Sequence, residues 1–87
     1  MYRLQFKRSA EKELRHLRPM DRDRLVSAVR GLRQSPRPLG CKKLKWVGVW
    51  SLRVGDYRVI YDVDDEAQLV TVYKIGHRRD VYRELEL

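Results

Sequence analysis

The chain has 87 residues, 43% hydrophobic and 37% charged, with a formal net charge of +8 and a pI near 10.1. That length predicts one domain over residues 1–87 with one modest core, and no run approaches the roughly 18 to 20 apolar residues of a membrane span. The lone Cys41 excludes an internal disulfide, and Met1 to Lys7 lacks the apolar stretch of a signal peptide, so the expectation is a cytoplasmic protein with no membrane association.

Tyr2-Arg3-Leu4-Gln5-Phe6-Lys7 alternates apolar and polar residues, as a half-buried strand does. Ser9 is a fair N-cap for a helix over about Ala10 to Leu17, with Ala10, Leu14 and Leu17 on one apolar stripe. Arg18-Pro19 ends that helix. Pro19 or Asp21 starts a second one running to about Arg33, with Leu25, Ala28, Val29 and Leu32 on its buried face. The two helices are expected to form a hairpin. Ser35-Pro36-Arg37-Pro38-Leu39-Gly40 is the one clear loop, and Lys42-Lys43-Leu44-Lys45 reads as a basic approach to a β-hairpin.

That hairpin carries the most information. Two alternating runs, Val49 to Val54 and Tyr57 to Val63, flank Gly55-Asp56. A Gly-X pair between such runs predicts a two-residue type II′ turn, and the turn sets the register. Val54 then faces Tyr57, Arg53 faces Arg58, Leu52 faces Val59 and Trp50 faces Tyr61. One face of the hairpin is apolar and suited to a core. The other sets Arg53 against Arg58. Like charges opposed across a ladder are destabilising. An anion between them would remove the conflict, and a phosphate matches guanidinium forks well.

Asp64-Asp65-Glu66-Ala67 reads as a turn and Leu69 to Ile75 as the last long strand. A four-residue turn would put Val70 and Val72 on the core face and Tyr73 beside Arg58 on the other. Gly76 is expected to end that strand. The order β-α-α-β-β-β then predicts an α+β fold. A small antiparallel sheet would carry the two-helix hairpin on one face and leave the other open for binding.

Charge is uneven along the chain. Residues 1–48 hold 14 basic and 4 acidic side chains, a net of +10; residues 49–87 hold 6 and 8, a net of −2. The N-terminal half therefore supplies general attraction to a polyanion. The basic second helix suits ribosomal RNA, an acidic protein partner or plain solvation. There is no HExxH or CxxC, and His16 and His77 lie far apart, so neither a metal nor a cofactor is expected.

The initial strand and two helices, Lys43-Leu44, the segment Trp50-Ser51-Leu52-Arg53-Val54-Gly55-Asp56-Tyr57-Arg58-Val59-Ile60-Tyr61 and Gly76-His77-Arg78-Arg79-Asp80-Val81-Tyr82 together resemble the RelE/ParE superfamily of bacterial toxins. Within it they resemble the RelE-type messenger-RNA interferases, over nearly the whole chain. The resemblance implies a RelE-like fold and a toxin of a type II toxin–antitoxin system. It implies a metal-independent endoribonuclease acting on mRNA in the ribosomal A site, against 16S rRNA, and silenced by an acidic RelB-like antitoxin. By motif, Arg58 takes the role of the phosphate-stabilising arginine and Arg78 that of the arginine after the last strand. Tyr82 becomes the C-terminal tyrosine that stacks on or orients substrate. Arg53 matches a basic residue of the preceding strand.

Many relatives carry basic residues where this chain has Val49 and Ser51. Here that part of the face is neutral, which leaves the general base unassigned. His77 is a candidate, since imidazole titrates near neutrality. Lys43, Lys45, Arg79 and Tyr73 are further candidates for contacting RNA. Other readings stand beside these. Arg53 and Arg58 would serve equally in a surface ionic network with Asp62, Glu84 or Glu86, His77 as a plain loop residue, and Tyr82 as packing for the tail. The same scaffold also carries ParE-type inhibitors of DNA gyrase, which need no cluster of Arg58, Arg78 and Tyr82.

Overall fold

The computed structural model describes residues 1–44 and 49–81. Lys45, Tyr82 and the other residues of 45–48 and 82–87 lie outside the described set. The elements are β1 (Arg3–Phe6), α1 (Arg8–Arg15), α2 (Pro19–Gly31), β2 (Cys41–Leu44), β3 (Val49–Val54), β4 (Tyr57–Asp64) and β5 (Leu69–His77). They build one five-stranded sheet in the order β1-β5-β4-β3-β2. The two helices pack on one face of it.

The central hairpin has the register that the Gly55-Asp56 turn dictates. Trp50 pairs with Tyr61, Leu52 with Val59, Arg53 with Arg58 and Val54 with Tyr57. Gly55 has φ +60°, and Asp56 is not in the left-handed region, as a type II′ turn requires. Leu52, Val59 and Tyr61 are buried against Ala10, Leu25, Val29, Leu32, Val70, Val72 and Ile75. Trp50, Val54 and Tyr57 pack at the margin of that core. Tyr61 is fully buried, and its hydroxyl donates to the Pro36 carbonyl at 2.7 Å. This bond ties the Pro-rich loop to the middle of the sheet.

The sheet is mixed. β1 pairs parallel to β5, with Arg3 beside Leu69 and Phe6 beside Val72, and all other pairs are antiparallel. Cys41–Leu44, read from sequence as an approach to the hairpin, is a fifth strand at the opposite edge. α1 starts earlier than its sequence suggests. Lys7 is the N-cap, and Ser9 lies inside the helix with its hydroxyl donating to the Tyr73 carbonyl at 3.0 Å. β1 stops at Phe6, so β5 would expose its edge beyond Val72. The Lys7 amide donates to the Val72 carbonyl at 2.9 Å, and the Ile75 amide donates to Glu13 Oε1 at 3.4 Å. α1 thus satisfies the backbone groups that β1 leaves open.

β5 differs from expectation in two places. A register shift between Ile60 and Tyr61 pairs Ile60 with Lys74 but Tyr61 with Val72, leaving Tyr73 as an extra residue. The bulge inverts the face of everything after it. Ile75 enters the core, Gly76 turns to the opposite face, and His77 returns to the helix side. Gly76 does not end the strand. It sits within β5, paired with Arg58.

Candidate active site

The face away from the helices holds an open cleft of about 320 Å³ lined by Gly40, Lys42, Ser51, Arg53 and Arg58. The sheet register builds it. Arg53 and Arg58 are cross-strand partners, and Lys42 on β2 is directly across from Ser51 on β3. Three cations and a buried hydroxyl residue, Ser51 at 3% exposure, therefore share one concavity whose described lining has no carboxylate.

The hairpin turn orders the arginines. Arg58 Nη1 donates to the Tyr57 carbonyl at 2.9 Å and to the Gly55 carbonyl at 3.3 Å. The Arg78 amide donates to the Asp56 carbonyl at 2.8 Å, and Arg78 Nε lies 3.8 Å from Asp56 Oδ1. Both guanidinium groups are thereby collected at the tip of one hairpin. That ion pair is long and its side chains are more than half exposed. Such a pair is weak and leaves the Arg78 fork available to a phosphate. Among the described residues Arg58 donates only through Nη1, to those two carbonyls.

Gly76 lies in the same row as Arg53 and Arg58 and has no side chain to fill the space beside them. A Cβ there would come within 3.3 Å of the Val81 Cβ. Val81 is fully buried, and its amide donates to the His77 carbonyl at 3.0 Å. The segment after β5 therefore folds back over the arginine face at Gly76. Tyr82 lies outside the described residues.

Three residues expected at the site are elsewhere. His77 is paired with Tyr57, and the two rings meet edge-to-face at 5.9 Å on the helix side of the sheet. Its Nδ1 accepts the Arg79 amide at 3.2 Å. Tyr73 is the bulged residue, 37% exposed, with Lys7 Nζ 5.8 Å from its ring centroid, and Arg58 has Gly76 rather than Tyr73 as its partner. Lys43 is paired with Trp50, so alternation along β2 turns it to the helix side. Lys42, which the sequence does not single out, lines the cleft instead. Its register across Ser51 was the missing signal, and it becomes readable only once Cys41–Leu44 is recognised as a strand. Arg79 is exposed beyond the end of β5, with its amide bonded to His77.

Tyr57 shows how the helix side handles polar groups. Its hydroxyl donates to Asp21 Oδ2 at 3.4 Å, and burial, with that carboxylate alongside, holds the phenol above its ordinary pKa.

Residues 4–82 match the family model described as ParE toxin of type II toxin-antitoxin system. Toxin RelG of Mycobacterium tuberculosis is 34% identical over 85 residues, covering 94% of this chain and 97% of that protein. Among solved structures, the RelBE2 toxin–antitoxin complex of the same organism aligns at TM-score 0.79 and 32% identity over 91% of this chain and 93% of that one. Isolated E. coli RelE toxin aligns at TM-score 0.78 and 30% identity over 98% and 95%. An archaeal RelE–RelB complex from Pyrococcus horikoshii reaches 0.80 at 27% identity over 91% and 97%. With the fold and nearly the full length shared, the chain belongs to the RelE/ParE superfamily and is a RelE-type toxin of a type II toxin–antitoxin system.

Proposed function

We propose that this toxin is a ribosome-dependent endoribonuclease that cleaves messenger RNA in the A site without a metal. The observation that carries the proposal is the Arg53–Arg58 pair, two like charges held opposite each other above a cleft whose described lining has no acid. A phosphodiester relieves that repulsion and takes up guanidinium donors.

RNA brings its own nucleophile, the 2′-hydroxyl. Its oxygen attacks phosphorus, the bond to the 5′-oxygen breaks, and the products are a 2′,3′-cyclic phosphate and a 5′-hydroxyl. Arg53 and Arg58 hold the scissile phosphate and stabilise the added charge, on the order of 3 kcal/mol for a well-placed donor. Arg78 swings from Asp56 to the same phosphate. Its role is electrostatic, because a guanidinium gives up a proton too reluctantly to act as an acid. Tyr82 stacks on or orients a base, and Arg79 lends charge along the RNA. In the cell an acidic antitoxin covers the basic surface, by analogy with the RelE–RelB complexes of the relatives.

The test is end mapping on ribosomes programmed with a defined message, beside message alone and a gyrase supercoiling reaction. Cuts at A-site positions only with ribosomes are the expected result. Intact message with lost supercoiling would move the protein to the gyrase-inhibitor class.

A further inference from the structure

We propose that Lys42 is a catalytic residue, the amine that accepts the 2′-hydroxyl proton. This rests on the endoribonuclease reading and names the group that reading leaves open.

Of the described residues that line the cleft, four are poor bases. Gly40 has no side chain. Ser51 carries a hydroxyl, which is a poor base. Arg53 and Arg58 remain protonated at any working pH. His77, the obvious candidate from sequence, is on the other side of the sheet against Tyr57. Lys42 alone in that lining carries a nitrogen that can serve as a base, since an amine, unlike a guanidinium, has an accessible lone pair once its proton is lost.

Position supports the assignment. Lys42 is directly across from Ser51, one strand out from Arg53, so its stem rises from the same face as both arginines. Ser51 is small and buried, which leaves the concavity open for a longer neighbour to reach across. β3 presents the neutral Val49 and Ser51 on this face, and β2 supplies the amine from the adjacent strand. Among the described residues, no carboxylate pairs with Lys42.

The step balances without a co-reactant. The neutral Lys42 amine takes the 2′-hydroxyl proton as the O2′–P bond forms and the P–O5′ bond breaks. Solvent protonates the leaving 5′-oxygen, and the ammonium later returns its proton to solvent.

The experiment is single-turnover cleavage on programmed ribosomes from pH 6.5 to 8.5 with wild type, Lys42→Arg and Lys42→Ala. Lys42→Arg keeps the positive charge and cannot act as a base. It should hold its half-saturating concentration within about twofold while its rate constant falls by roughly 10²–10⁴-fold. Methylamine or ethylamine added to Lys42→Ala should restore part of the rate in proportion to the free-base concentration. A Lys42→Arg variant with wild-type rate and pH profile would overturn the proposal, as would variants that weaken binding without slowing the bound reaction. Wild-type protein that cuts nothing would sink the endoribonuclease reading instead, so the two failures are distinct.

Discussion

On the helix side of the sheet, Arg37 meets Asp65, Tyr57 meets Asp21, and Tyr61 reaches the Pro36 carbonyl. On the other side, Arg53, Arg58 and Lys42 line one cleft without a carboxylate among its described residues. The same five strands carry both faces, so the contrast cannot come from backbone geometry. It comes from which residues alternate outward. The helix side is consistent at every level, with apolar burial, satisfied polar groups and paired charge. The open side breaks the pairing rule at Arg53 and Arg58, and such breaks are expected where a protein binds something.

The largest effect should come from the open face. Arg58→Ala removes the guanidinium assigned to the phosphate and its bonds to the Tyr57 and Gly55 carbonyls, so cleavage on programmed ribosomes should fall about 10²–10³-fold. The lost turn bonds should cost no more than about 1 kcal/mol of stability, and antitoxin binding should stay close to wild type. Full activity in this variant would make the arginine pair a surface feature and dissolve the contrast. Leu25→Ala breaks the opposite face. Leu25 is fully buried under the sheet, so truncation should cost about 3 kcal/mol in denaturant unfolding. The surviving folded fraction should still cleave.

A subtler loss is expected from Tyr61→Phe. It removes the donor to Pro36 and leaves that carbonyl short of a partner, for a cost of about 1 kcal/mol. The sign should reverse across the sheet. Arg53→Thr deletes one of two opposed cations and supplies a β-branched strand former. It should stabilise the free protein by about 0.5 kcal/mol while weakening RNA binding. Destabilisation by Arg53→Thr in the absence of RNA would mean that the pair is not under strain.

Legibility in the sequence tracks the range of the interactions. The β3–β4 register is set by two residues of turn chemistry, and Arg53 against Arg58 comes directly from it. The partner of β1 is more than sixty residues away, and no local pattern tells that the pair is parallel. One bulged residue, Tyr73, explains most of the misplaced site. It moved His77 to the helix side and set Gly76 beside Arg58. β2 is four residues of mixed polarity, too short for alternation to announce it, so the sequence does not tell which of Lys42 and Lys43 faces the cleft.

The smallest effect lies at the rim of the helix side, where the Pro-rich loop meets the β4–β5 turn. Arg37 makes two bonds to Asp65, at 3.2 and 2.8 Å, and its guanidinium sits 5.4 Å from the centre of the Trp50 ring. The Tyr2 hydroxyl donates to the same carboxylate at 2.6 Å. Arg37 first, and then Tyr2, hold the Asp65 carboxyl below its ordinary pKa of 3.8. Its contribution to stability is therefore present above about pH 4 and fades as pH falls through the lowered value. The bond to Asp65 also holds the Tyr2 phenol above its ordinary value of 10.0, so that contribution persists below about pH 10 and is lost as pH rises through the raised value. Comparing wild type with Asp65→Asn by denaturant midpoint should show a small gap at pH 6, narrowing towards pH 2 and reduced by salt. A gap that stayed constant across that range would mean that the network closes the loop by shape rather than charge, and the two faces would then differ less in electrostatics than in packing.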